Sequence, residues 1–271
     1  MDNDTGAIQW GPWVISGIAL IQIWVIAIIR RLKKPSLDIF ESGNIEVGYS
    51  GFGPTLGLIG TLRVLYKDVF IRRVVTTITK LKDQSVHNFN WRAFRPNTFS
   101  PNPNTSLQYE IASSFLLTSN NIHKYNIFFV DESFTAEIAP QIGRVLKEWL
   151  DFRARRLKEI KDKSQDNINL LLNNPLLNNI LYDEFFQSGG LTNAYTILDR
   201  ACYWEKAEYR LIFQVETTKP NHTFQKEFYF SLSDDDVKLL HMNSVIILRM
   251  LCGISEQFNF AFPEYKSSLV E

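Results

Sequence analysis

The chain has 271 residues with 29 basic and 29 acidic side chains, so its formal net charge is zero at neutral pH. That balance argues against a nucleic-acid partner, which needs a basic surplus. Two cysteines are too few for a disulfide framework, while 45% hydrophobic residues, 20 Phe among them, suffice for a packed core.

From Gly6 to Ile29 no side chain is charged. A hydrocarbon core of about 30 Å needs roughly 20 apolar residues in a helix, and Ala7–Ile29 meets that length. Trp10 and Trp13 stand at one end, where indole rings favour the headgroup region, and Ile18, Leu20, Trp24 and Ile28 belong to the apolar body. Arg30, Arg31, Lys33 and Lys34 follow the run, whereas only Asp2 and Asp4 precede it. The positive-inside rule then puts the N-terminus outside and the bulk of the chain in the cytoplasm, as in a bacterial inner-membrane protein. A cleaved signal peptide would carry its cations before the apolar run, and soluble helices are seldom apolar on every face. Residues 1–34 are therefore expected to form a single-pass anchor with a basic cytoplasmic flank.

Residues 35–54 read as a Gly-rich connector through Gly43, Gly48, Gly51 and Gly53 to Pro54. Its glycines match neither phosphate-binding spacing and suit turns and bulges leading into a sheet. Residues 55–133 then carry strand signals. Leu56–Leu65 and the β-branched run Val69–Leu81 are separated by the turn Tyr66-Lys67-Asp68, and Val86–Trp91 follows Lys82-Asp83-Gln84. Three prolines and three asparagines make 95–106 a loop. Ser114–Thr118 and Tyr125–Val130 are further strand candidates around the turn Ser119-Asn120-Asn121.

A helical stretch, 134–200, interrupts the strands. Ile138, Ile142, Val145, Trp149 and Phe152 form one apolar stripe at helical spacing, capped near Ser133 or Thr135. The basic run that follows, with Arg153, Arg155, Arg156 and Lys158, is a candidate contact for lipid or a partner. Interleaved Asp151, Glu159 and Asp162 also suit a solvated face. Asn173-Asn174-Pro175 and Gly189-Gly190 break the later helical segments. In 201–253, Tyr209, Leu211, Phe213 and Val215 alternate on one strand face, and Phe224, Phe228 and Phe230 on its hairpin partner. Ser233 with Asp236 spells a capping box for a last helix that Gly253 stops. Residues 254–271 form an aromatic tail without periodicity.

Among possible reactive groups, His87, His123, His222 and His241 show no metal-ligand spacing, and no nucleophile-elbow motif occurs. Cys202, beside Tyr203 and Trp204, suits a packed small hydrophobe. Trp91 and Trp204 suit core positions. No catalytic, cofactor-binding or metal residue stands out, and no cofactor is expected. The fold expected is mainly β with helical additions: a transmembrane helix, then an immunoglobulin-like antiparallel β-sandwich with a long helix and a C-terminal helix packed on it. The function expected is binding or scaffolding at the membrane through a protein or ligand. An oligomerising subunit of a membrane complex is the alternative, and an enzyme the lesser one.

Overall fold

The computed structural model describes residues 33–95, 110–119, 121–163, 175–218 and 220–267, with Ile21, Gln22, Trp24, Val25 and Ile28 as helical residues. Most of the expected membrane span, including Trp10, Trp13, Ile18, Leu20, Arg30 and Arg31, lies outside the described residues, as does most of the 95–106 loop. Among the described residues no helix is long and apolar enough to cross a membrane.

The β-rich character expected from the alternating runs is present as one curled, eleven-stranded antiparallel sheet. Its strands are β1 (Ser36–Ser50), β2 (Gly53–Leu65), β3 (Val69–Lys80), β4 (Val86–Phe94), β5 (Glu110–Ile111), β6 (Phe115–Leu117), β7 (Ile122–Val130), β8 (Glu208–Thr218), β9 (Asn221–Ser231), β10 (Phe260–Ala261) and β11 (Tyr265–Lys266). They follow the order β10-β1-β2-β7-β4-β3-β8-β9-β11, with β5 beside β4 and β6 beside β3. The two separate sheets of an immunoglobulin-like sandwich are thus replaced by one continuous hydrogen-bonded surface. The physical reason is that β4 pairs on one edge with β3 and on the other with β7, joining what would have been two halves.

Two stretches differ from the sequence reading. Residues 36–50, expected as a connector, form the longest strand, because Ile45, Val47 and Tyr49 alternate into the core with no exposed surface. The tail also enters the sheet. Ala261 pairs with Val47 of β1, Glu264 bridges Asn44, and Tyr265 pairs with Phe230 of β9. Lys226 of β9 crosses the same seam and donates from Nζ to the carbonyl of Ile39, at 2.8 Å. Residues 260–266 thereby clip the two outer long strands together and cover edges that would otherwise expose unpaired backbone.

Beside the helical residues Ile21, Gln22, Trp24, Val25 and Ile28, the described residues include the helices α1 (Glu132–Lys163), α2 (Pro175–Gln187), α3 (Thr192–Ala201) and α4 (Asp234–Leu251). In α1 the expected stripe faces inward, with Ile138 and Trp149 buried. Its cap is Asp131 instead of Ser133 or Thr135: Asp131 Oδ1 accepts the Ser133 N–H at 3.0 Å. The α4 cap is the expected reciprocal box between Ser233 and Asp236, which satisfies orphan N–H groups beside the favourable end of the dipole. Gly253 ends α4 with φ +80°, and Ile254 N donates to the Arg249 carbonyl. Trp204, wholly buried, ties the chain beyond α3 to the sheet through Nε1 to the Gly48 carbonyl, and Tyr49 returns a hydroxyl bond to Leu198 of α3 at 2.7 Å.

Gly53, at the start of β2, has φ +93°, and a Cβ there would lie 2.3 Å from the Phe134 ring. Strain in the left-handed region and overpacking add, so Gly53→Ala is expected to destabilise the fold by about 2–4 kcal/mol. The check is a lower urea midpoint with an unchanged denaturant slope.

Candidate functional site

β2 begins, β7 ends and β4 begins at the same end of the sheet, where α1 leaves β7 and the chain returns from α3. Between them lies a cleft of about 430 Å³. Its polar wall is His87, Asp131, Glu137, Arg200 and Tyr203, and its apolar floor includes Phe134.

Asp131 is the centre of this wall. It is 3% exposed, so its carboxylate needs bonded partners to be tolerated. Ser133 supplies two, its N–H and its hydroxyl, both to Oδ1. Tyr203 donates its hydroxyl to Oδ2 at 3.1 Å. The Tyr203 ring stacks on the His87 imidazole with centroids 3.7 Å apart and planes 14° from parallel. Burial holds the His87 pKa below its ordinary value; the Asp131 carboxylate, 3.9 Å from Nδ1, opposes that shift only in part. Burial first, and the same carboxylate second, push the Tyr203 phenol well above its ordinary range. Lys80, from the strand paired with His87's own, is engaged by Asp83 at 2.7 Å and Glu205 at 3.1 Å.

The chemistry of this arrangement is that of a donor-saturated carboxylate beside a stacked, neutral-leaning imidazole. Ser133 and Tyr203 both direct their protons to Asp131, so the carboxylate fixes the orientation of the two hydroxyls. Glu137 and Arg200 are exposed and bring opposite charges to the cleft rim. Among the described residues no group of three or more His, Cys, Asp or Glu is placed to hold a metal ion.

The other histidines stand apart. His123 packs against Phe115 at 4.7 Å, His222 lies against Phe224, and His241 Nδ1 meets Asp199 at 2.8 Å. Cys202 and Cys252 are each 3% exposed, and burial pushes both thiols up to about 12. The basic run of α1 is divided. Arg153 donates to Asn178 and Arg156 pairs with Glu184 at 2.8 Å, so both hold α2 against α1; Arg155 and Lys158 are exposed. Trp24 and Ile28 are helical and exposed, and Lys33 and Lys34 are exposed just before β1. The cleft residues escaped the sequence reading because they come from β4, the β7–α1 junction and the segment after α3. The sole local hint was Asp131 two residues before Ser133, the spacing of an N-cap.

Comparison with protein-family models, with curated proteins and with solved structures returned no match to this chain.

Two measurements check this geometry. Because the folded pKa of His87 is depressed, the unfolded chain binds its proton more readily, and stability falls as pH drops through the ordinary value of 6.5. His87→Phe keeps a stacking ring and is expected to flatten that loss in urea titrations between about pH 7 and 5. An unchanged slope would refute the burial of His87. Neither cysteine of the folded protein is expected to react with an aromatic disulfide reagent at pH 8, whereas both react in denaturant.

Proposed function

We propose that this chain is a membrane-tethered binding protein whose curled-sheet domain recognises a protein or ligand in the cleft around Asp131. The observation that carries the reading is the cleft itself: an apolar floor, a stacked His87–Tyr203 pair and a rim of opposite charges, with the buried carboxylate already satisfied. Such a surface offers shape and polar recognition with little reorganisation on binding. The cytoplasmic, N-out orientation and the single-pass anchor at 1–34 remain part of the proposal. They are supported by the charge-free run and by the helical, exposed Ile21, Trp24, Val25 and Ile28, which recur at one-face spacing.

A second reading, an oligomerising subunit, draws on Leu176 and Ile180, apolar and exposed one turn apart on α2. Native mass spectrometry in detergent separates the two: a stable homo-oligomer without added partner favours the subunit.

The full chain is expected to stay in the membrane pellet after an alkaline carbonate wash, and a chain beginning at Pro35 to be released. Release of the full chain would remove the tether. Whatever the full chain captures from its native membrane is expected to be lost on combining Glu137→Arg with Arg200→Glu, two exposed rim positions. Capture of the same set by that variant moves recognition away from the cleft.

A further inference from the structure

The two ends of the sheet are unlike, and the end opposite the cleft is the one the anchor reaches. Register places Ser36 of β1 beside Leu65 of β2, and Arg63 of β2 beside Ile122 of β7. At the same end Val69 and Phe70 of β3 lie beside Leu117 and Leu116 of β6. Tyr66, Phe70, Leu116 and Ile122 are all apolar and exposed there, Ile122 by 65% and Leu116 by 58%. Their loops act as one lip, since Ser119 N donates to Asp68 Oδ1 at 2.7 Å, between the β2–β3 turn and the β6–β7 loop.

Cations surround this lip. Lys33, Lys34, Arg63 and Arg72 are exposed, and Lys33 Nζ sits 4.3 Å above the Tyr66 ring. Nearby anions are Asp38, cross-strand from Arg63, and Asp68, already accepting from Ser119; near Arg72 stand Glu216, cross-strand from Arg73, and Glu132, which lines the same cavity as Arg72 and accepts from Asn90. Chain length then sets the distance. Only Pro35 separates Lys34 from β1, and two residues span at most about 7 Å. A basic flank held at the headgroups therefore holds this end of the sheet there too.

Resting on the tether proposed above, we propose that this end of the sheet docks on the anionic bilayer in which the chain is anchored. Tyr66, Phe70, Leu116 and Ile122 enter the interface, while Arg63 and Arg72 meet lipid phosphates. The cleft lies at the far end of β2, about 40 Å along a strand of 13 residues, and so faces away from the membrane.

The test uses the full chain reconstituted in vesicles of phosphatidylcholine with 30% phosphatidylserine. Nitroxides are placed one at a time at Leu116→Cys, Ile122→Cys, Trp24→Cys and, as a water-facing control, Met242→Cys. Labels at Leu116, Ile122 and Trp24 are expected to be relaxed by oxygen more than by an aqueous nickel chelate, and the control the reverse. Arg63→Glu with Arg72→Glu is expected to return the Leu116 and Ile122 labels to water and leave Trp24 in lipid, since each cation at an anionic surface is worth roughly a fivefold change in partitioning. A lipid-exposed Trp24 label with water-exposed Leu116 and Ile122 labels overturns the docking while leaving the tether standing. A water-exposed Trp24 label overturns both. Spin–spin broadening at Leu116 in neutral detergent would mean that a second copy covers the lip, and overturns the docking on lipid.

Discussion

The structure depends on a short clip. Residues 260–266 pair on one side with β1 and on the other with β9, the first and last long strands of the sheet. Without them a curled antiparallel sheet would leave two edges and a split core. With them, and with Lys226 bonded across the seam to Ile39, the inner faces of β1, β2, β7, β3, β8 and β9 enclose one hydrophobic interior. Tyr125, Phe129 and Phe213 meet there, with Phe213 stacked on Tyr125 at 5.6 Å and edge-on to Phe129. Closure also explains why Gly48 is small: a Cβ there would lie 2.8 Å from the Phe260 ring of the clip.

Closure gives the sheet two distinct ends. At one end α1 leaves β7 through the Asp131 cap, and the same carboxylate that starts the helix receives the Tyr203 hydroxyl. The cap and the cleft are therefore one device. Burial costs the carboxylate its water, three donors replace it, and the fixed Tyr203 ring offers His87 a stacking partner. At the other end β1 begins two residues after Lys34, so the basic flank and the start of the sheet lie within about 7 Å of one another.

Much of the fold was legible from local patterns. The alternation of Tyr209, Leu211, Phe213 and Val215 marked a strand face, and all four are buried. The helical stripe from Ile138 to Phe152, the Ser233–Asp236 box and the Gly253 stop were likewise readable, because each depends on neighbours three or four residues away. β1 was missed since its glycines mimic a linker; the alternation of Ile45, Val47 and Tyr49 that makes it a strand is short, preceded by Gly43 and interrupted by Gly48. The clip was missed because a two-residue strand has no period to detect.

By itself, then, the sequence determined the identity of most elements, the α4 cap and the charge-free run before β1, all consequences of local backbone preference and side-chain periodicity. Only the tertiary structure decided that the strands form one sheet and that the tail closes it. It alone brought His87, Asp131 and Tyr203, separated by 44 and 72 residues, into one cleft. Those outcomes rest on long-range pairing and on the cost of leaving a carboxylate or a sheet edge unsatisfied, which no window of neighbouring residues records.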